Sequence, residues 1–417
     1  MDPTVASASV TSPSDWRYVS EGGSTIVLSY SGPPHPIFSG TVLRLRKIAI
    51  QHSAPEGSND SNENNEPDDP SIAFQLKVIS KLIPPIHLPR LVTVRVDRSW
   101  LETLRSLIES VRPSERRSKD TVDVRRHKAV LATDLVGGEG WTVEIKPKWG
   151  FLPNLAHTSA ETSFIKSQRC RFCMHSHYRT LRGENASHEY CPLDLYSGNA
   201  ERTAHALRCL WKDWVRSEGR LNNLKLFARG KLVDSNDRKM KSPPPSDERE
   251  DKLIEYVVAA LLPLLLGTPV LRSVARLQRM LDPLDIEGLF SLYDTYRATR
   301  NDDIPPLEKL FPDPTLDEWV DFVGSYRPLD SLATLDRLES EHARLHFYTM
   351  AYLLSATFKD CSLMLQLERG EGKYDTITVI DLDPKSMSRL KRWAELDHDI
   401  ATAYPKDDVR CCRDDTT

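Results

Sequence analysis

The segment Glu144–Gly150 (EIKPKWG) sets Lys146 and Lys148 on either side of a proline at the end of a strand-like run. Side chains two apart in extended chain project to one side, and the proline keeps the segment out of a helix. Two ammonium groups held side by side repel unless an anion lies between them. The plainer reading is a basic strand end in water. Later in the chain, Asp360-Cys361-Ser362 follows an apolar helical run, and Asp381-Leu382-Asp383 follows a β-branched run ahead of Lys385, Arg389 and Trp393. A carboxylate just past a buried strand is a usual way to hold Mg²⁺ against nucleotide phosphates. The spacing of four predicts that residues 385, 389 and 393 stack on one helix face. A solvated helix capped by Asp383 is the bland alternative.

Arg169–Arg179 (RCRFCMHSHYR) concentrates Arg169, Arg171, His175, His177 and Arg179, with Asn199 and Arg202 following three apart. Arginines grip phosphate through planar, bidentate contacts, whereas a solvated basic loop would need no ligand. Ser20–Thr25 (SEGGST) is a glycine-containing hairpin tip. Its backbone N–H groups can approach phosphate oxygens, although such tips are often only turns. The following strand offers Arg44, Arg46 and Lys47. Cys170-x2-Cys173 and His188-x2-Cys191 have the spacing of a zinc set, and also that of four ordinary buried residues. A glycine tip, a lysine pair, a metal-suited Asp and many arginines together suit ATP-dependent phosphoryl transfer to a highly anionic acceptor.

The elements that must position these residues are legible in outline. The chain has 417 residues, enough for two or three domains or one two-lobed unit. Lys+Arg minus Asp+Glu is 56 − 60 = −4, so the cations are clustered rather than a general coat for nucleic acid. Seven cysteines are too sparse for a secreted disulfide scaffold. The first twenty residues lack a basic start and an apolar run, and Tyr256–Leu266, the longest apolar stretch, is too short to span a bilayer. An intracellular chain with no membrane or nucleic-acid partner is expected. Thr25–Tyr30 and Thr41–Lys47 read as an antiparallel hairpin, with further strands near 91–96, 130–134, 141–146, 363–367 and 376–380. Helical patterns fall near 72–82, 100–111, 200–215, 252–266 and 269–281 and continue to 354; a Gly/Glu turn is expected at 370–372. Residues 53–70 and 237–250 read as polar loops. The expected fold class is α+β, with a disordered tail over 1–14, a β-rich N-lobe over 15–135, a helix-rich C-lobe over 136–405 and a flexible tail over 406–417.

The strings WRYVSEGGSTIVLSY, FSGTVLRLRK, EIKPKWGFLP, RCRFCMHSHYR, YCPLDLYSGNAER, NNLKLF, KDCSLM and IDLDPK run in order from residue 16 to about 400. The chain thereby resembles the inositol-pentakisphosphate 2-kinases, with the look of a fungal member. The resemblance implies a kinase-like two-lobed fold with the site between lobes, ATP and Mg²⁺ as cofactors, and inositol pentakisphosphate phosphorylated at its 2-hydroxyl. It implies that Gly22, Gly23 and Thr25 lie over the ATP phosphates, with Thr25 replacing the usual asparagine, and that Arg44 and Lys146 contact nucleotide phosphate. Asp381 would hold Mg²⁺, and Asp360 would accept the hydroxyl proton. Lys148, Arg171, Arg179, Asn199, Arg202, Lys385, Arg389 and Trp393 would hold the inositol phosphates, Trp393 standing where the family often has tyrosine. Arg116 is matched to lobe closure and Thr133–Leu135 to the adenine hinge. Some members carry a structural zinc, and Cys170, Cys173, His188 and Cys191 are its candidates here. A monomer in nucleus or cytoplasm is expected. The rivals are a non-catalytic inositol-polyphosphate binder, for which Asp360 and Asp381 have no use, and a zinc-stabilised RNA-binding protein.

Overall fold

A computed structural model describes residues 5–52, 66–138, 140–234, 247–300, 304–325, 340–367, 375–407 and 411–415. The expected turn at 370–372 and most of the two polar loops lie outside these residues. The chain is α+β, built on two antiparallel sheets. The first holds β1 (Trp16–Glu21), β2 (Thr25–Tyr30), β3 (Thr41–Ala49), β4 (Leu91–Arg95), β5 (Asp120–Val122) and β6 (Lys128–Thr133), ordered β1-β2-β3-β6-β4 with β5 on the far end of β3. The expected hairpin pairs Leu28 with Leu43 and Ile26 with Leu45. Those four side chains are buried in one cluster with Trp100, Leu101, Leu104 and Ile108 of the helix Arg98–Ile108. Because faces alternate along a strand, Arg44 and Arg46 stand on the opposite face.

The tail expected to be disordered is ordered from residue 5. Ala8 is fully buried, Arg95 N–H donates to Ala6 O at 2.9 Å, and Trp100 Nε1 donates to Thr11 O at 2.8 Å. A Ser/Thr-rich composition hid these contacts because Ser and Thr cap turns as readily as they solvate a tail.

The second sheet holds β7 (Trp141–Ile145), β8 (Leu224–Ala228), β9 (Lys231–Leu232), β10 (Ser362–Leu367) and β11 (Thr376–Ile380), in the order β11-β10-β7-β8-β9. Ile145 pairs with both Leu363 and Leu224, and Ser362 with Ile380. With neighbours antiparallel, the end of β7, the start of β10 and the end of β11 reach the same edge, so the register alone brings Lys146, Asp360 and Asp381 together. The helices Ala200–Arg216, Asp247–Gly267, Val270–Met280, Asp285–Ala298, Glu341–Lys359 and Leu390–Thr402 pack with this sheet in one large core. A smaller cluster of Val19, Leu135, Val136, Phe227 and Met364 joins the two sheets. No single helix among the described residues is long and apolar enough to cross a membrane.

Candidate active site

Asp360 is the C-cap of the helix Glu341–Lys359, which is buried from Tyr348 to its end. A negative charge at a helix C-terminus opposes the macrodipole, so its position calls for compensation. Lys385 Nζ lies 3.0 Å from Oδ2 and Lys148 Nζ 3.7 Å from Oδ1. Partial desolvation favours the neutral acid, but the two lysines outweigh it and hold the Asp360 carboxyl below its ordinary range. Asp381 is paired in the same way. Lys146 Nζ sits 2.7 Å from its Oδ2 and Ser362 Oγ at 3.2 Å. Burial pushes this carboxyl up, and Lys146 and then Arg44, reaching across from the first sheet, more than reverse that. The repulsion foreseen for the lysine pair is answered only in part inside the protein: Asp381 holds Lys146, whereas Asp360 is shared with Lys385, and burial, with Lys146 adding to it, keeps the Lys148 ammonium below its usual range. Lys148 at φ +67° and Asp381 at φ +61° both occupy left-handed backbone, an unfavourable region for non-glycine residues that clusters at functional sites.

The loop carrying both lysines is fixed from below. Lys146 N–H donates to Asn223 O at 2.9 Å, Asn223 Nδ2 donates to Lys146 O at 3.1 Å, and Tyr190 OH donates to Pro147 O at 2.9 Å. A Cβ on Gly150 would come within 2.5 Å of the Tyr196 ring, so only glycine lets the loop pack there. The hairpin tip is different. A Cβ on Gly22 or Gly23 meets nothing and neither has positive φ, so packing and backbone conformation leave the glycines unexplained. Glu21, just before them, is anchored by buried Lys47 at 3.0 Å and Arg112 at 2.8 Å, which fixes the tip's base. Thr25 O accepts from Gly22 N–H at 2.9 Å. Arg46 is turned to Asp69 at 2.6 Å. Arg116 lies on the short helix Ser114–Arg117, near Tyr18, whose phenol burial and then Glu21 keep protonated well beyond its usual range.

The basic segment forms the helix Arg171–Leu181, so residues 171, 175 and 179 share a face. Arg171 Nε donates to buried Asp397 at 2.9 Å, and its guanidinium stacks 4.7 Å from the Trp149 ring centroid. On the same ring, Lys359 Nζ lies 3.8 Å from the centroid and pairs with Asp282 at 2.6 Å. Burial together with Arg171, Arg179 and Lys148 pushes His175 down to about 4, so it is neutral at physiological pH. Arg179 is half-exposed and bonded to Glu184 at 3.1 Å. Lys385 precedes the helix Leu390–Thr402, whereas Arg389 is its exposed N-cap and Trp393 lies within it, 6.2 Å from Tyr352. The three therefore do not stack on one helix as the spacing of four suggested, because proline follows Asp383 and the chain turns through Met387–Arg389 first.

Asn199 and Arg202 have other partners. Asn199 Oδ1 caps the helix Ala200–Arg216, accepting from Glu201 N–H at 3.0 Å and Arg202 N–H at 3.1 Å. Arg202 bonds Asp194 at 2.8 Å and Arg413 O at 2.7 Å and pairs with Asp415, while Asp414 pairs with Arg279. The C-terminal segment 411–415 is thereby pinned down, where a flexible tail was expected. Its Cys412 also corrects the cysteine set. The sulfurs of Cys170, Cys173, Cys191 and Cys412 all lie within 4.8 Å of one another, and His188 is not among them. His188 N–H instead faces Asp213 at 3.5 Å. A fourth ligand more than two hundred residues beyond Cys191 leaves no local spacing to read. Tetrahedral ligation at about 2.3 Å puts sulfurs about 3.8 Å apart, and Cys170 and Cys191 sulfurs are 3.9 Å apart. The donors fit zinc. A second acidic cluster, Asp285, Glu287 and Asp397, already surrounds a cation: Lys166 Nζ at 2.8, 2.8 and 2.5 Å.

Sequence reasoning missed Trp149, Asp282, Lys359, Asn223 and Asp397. Lys359 alone had a signal, a lysine closing an apolar helix beside a candidate Asp. Lys359→Met leaves Asp282 buried and uncompensated, and is expected to destabilise the fold by about 3–5 kcal/mol. Thermal unfolding measures this; the further change Asp282→Leu should recover much of the loss, and an unshifted midpoint in the single variant would show the pair to be inconsequential.

Paired lysines and carboxylates meet at the edge of one sheet, with an arginine reaching in from the other, an arrangement suited to a phosphotransferase. A family model described as inositol-pentakisphosphate 2-kinase matches residues 18–399. The inositol-pentakisphosphate 2-kinase of Cryptococcus neoformans var. neoformans serotype D is 32% identical, over 94% of this chain and 93% of that one. The enzymes so named from Arabidopsis thaliana and Danio rerio are 27% and 26% identical, each over 94% of this chain and 93% of the relative. The chain belongs to the inositol-pentakisphosphate 2-kinase family.

Proposed function

We infer that this protein transfers the γ-phosphoryl group of ATP to the 2-hydroxyl of inositol 1,3,4,5,6-pentakisphosphate, giving the hexakisphosphate. The observation that carries this reading is the meeting of Asp360 and Asp381, each held by lysines, at one sheet edge. In it, Asp360 receives the hydroxyl proton on a carboxylate already ionised at neutral pH. Lys146 and Arg44 bear on the nucleotide phosphates, beneath the tip formed by Gly22, Gly23 and Thr25. Mg²⁺ on Asp381 would neutralise charge between nucleotide oxygens when bound. Lys148, Lys385, Arg171, Arg179 and Arg389 face an acceptor carrying roughly ten negative charges, at about −1.5 to −2 for each of five phosphates. Trp393 is a further acceptor contact. Asn199 and Arg202 belong to the same acceptor set: the Asn199 oxygen caps its helix while its Nδ2–H donors would meet phosphate, and Arg202 also holds the C-terminal segment. The two unequal lobes divide near 135, where Leu135 and Val136 sit in the cluster joining the sheets. Zinc on Cys170, Cys173, Cys191 and Cys412 would be structural, since every protein ligand position is filled.

The test is ADP formation by the full chain with ATP, Mg²⁺ and either inositol pentakisphosphate, inositol or RNA. ADP is expected only with the pentakisphosphate, together with a hexakisphosphate product. No ADP above background with that acceptor would sink the reading and leave a binding protein.

A further inference from the structure

Gln278, on the helix Val270–Met280, is wholly buried and bonds both the Lys148 backbone and the helix end two residues before Asp360. Its Oε1 accepts from Gly150 N–H at 2.7 Å. Its Nε2 lies 3.0 Å from Lys148 O and 2.9 Å from Phe358 O, with Tyr196 OH at 3.3 Å. A side-chain amide has two N–H donors and one carbonyl, and here the two backbone carbonyls and Gly150 N–H use all three. Its own main-chain carbonyl accepts from Ser355 Oγ at 2.7 Å, tying the same residue to the helix Glu341–Lys359 a second time. Lys148 O belongs to the residue whose ammonium faces Asp360, and Phe358 lies two positions before Asp360. One planar group therefore spans the loop that carries Lys148 and the helix end that carries Asp360.

We propose that Gln278 is a positioning residue for phosphoryl transfer, setting the separation between the Asp360 carboxylate and the Lys148 ammonium. The proposal rests on the reading of Asp360 as base. Lys148 is held at φ +67°, a conformation that persists only where surrounding bonds impose it, and the bond to its carbonyl is one of those. No other residue type substitutes. Glutamate keeps the acceptor and loses both donors, methionine has neither, and asparagine is one methylene short of the reach.

Full-length wild-type protein, Gln278→Glu and Gln278→Met are compared by thermal unfolding and by steady-state kinetics at a temperature where each is folded. A misplacement of about 1 Å in such a site costs on the order of a hundredfold, so kcat is expected to fall on that scale while the KM for ATP stays within about twofold. In an Asp360→Asn background the same substitutions should lower the residual rate hardly further, because the geometry they disturb no longer serves a base. A lowered melting temperature with kcat unchanged overturns the proposal, as does failure of both variants to fold, which would assign Gln278 to the fold alone. Wild-type protein inactive on the pentakisphosphate would overturn the parent reading instead; active wild type with equally active variants overturns this one only.

Discussion

Asp360→Asn is expected to lower kcat about 10²- to 10⁴-fold, the usual range for loss of a general base, while binding of inositol pentakisphosphate is kept or strengthened. The substitution changes a charge without changing shape. Asparagine turns its one oxygen to Lys385, the nearer lysine, and leaves Lys148 without an acceptor there, a change confined to the site surface. It also removes a negative charge from beside a polyanion, which can only help the ground state. Asp360's depressed pKa makes it a weak base, and this is compatible with phosphoryl transfer. In a loose transition state little proton transfer has occurred when the bond to phosphorus breaks, so a carboxylate that is ionised and correctly placed suffices. The same depression places the acid limb of kcat/KM against pH below the usual carboxylate range, because that profile reports the free enzyme and falls only when the ionised form is lost. Single-turnover rates and calorimetric titration measure the two halves of the expectation. Normal turnover in the variant, or weakened binding with normal turnover, would remove Asp360 from the base role.

How the site was legible depends on scale. The strands carrying EIKPK, KDCS and IDLD were readable as short β-branched runs, and the hairpin of β2 and β3 appears where the Gly/Pro/Ser segment predicted it. Their convergence was not readable, since it depends on a sheet order in which Ile145 and Leu363, more than two hundred positions apart, are neighbours. Residues in strings that carry charge, such as Lys146 and Asp381, announced themselves by type. Those acting by packing or by backbone hydrogen bonds did not: Gln278 looks like any helical glutamine, and Trp149 looks like a core residue until Lys359 and Arg171 are seen on its ring. Asn199 shows how one side chain can serve two ends: its oxygen caps the helix behind it, and a phosphate would be met by the Nδ2–H donors instead, a division that residue type alone does not reveal.

The cysteine set gives the other large expected effect. Purified without chelator, the protein should carry about one zinc per chain, and Cys412→Ala should lose it while His188→Ala keeps it. Four thiols packed this closely without metal are unfavourable. Bonding to the neighbouring sulfurs and burial raise the Cys170 pKa, and thiol bonds to Cys170, Cys173 and Cys191 lower that of Cys412, so one sulfur is already driven towards thiolate. Zinc would resolve this by taking all four as thiolates. Cys170 also stands at the N-cap of the helix Arg171–Leu181, where the dipole favours negative charge. Metal binding to such sets contributes about 10–16 kcal/mol in isolated zinc-finger peptides. Here part of the region keeps its own core, so removal should appear as a lowered melting temperature and release of residues 411–415, not as global unfolding. The consequence for catalysis is indirect and specific. The helix that begins at Cys170 carries Arg171 and Arg179, so stripping zinc should raise the KM for the pentakisphosphate more than that for ATP. Metal analysis, melting and the two KM values on the same preparations decide the matter: full zinc content in Cys412→Ala, or its loss in His188→Ala, would return the fourth ligand to the position that sequence spacing suggested.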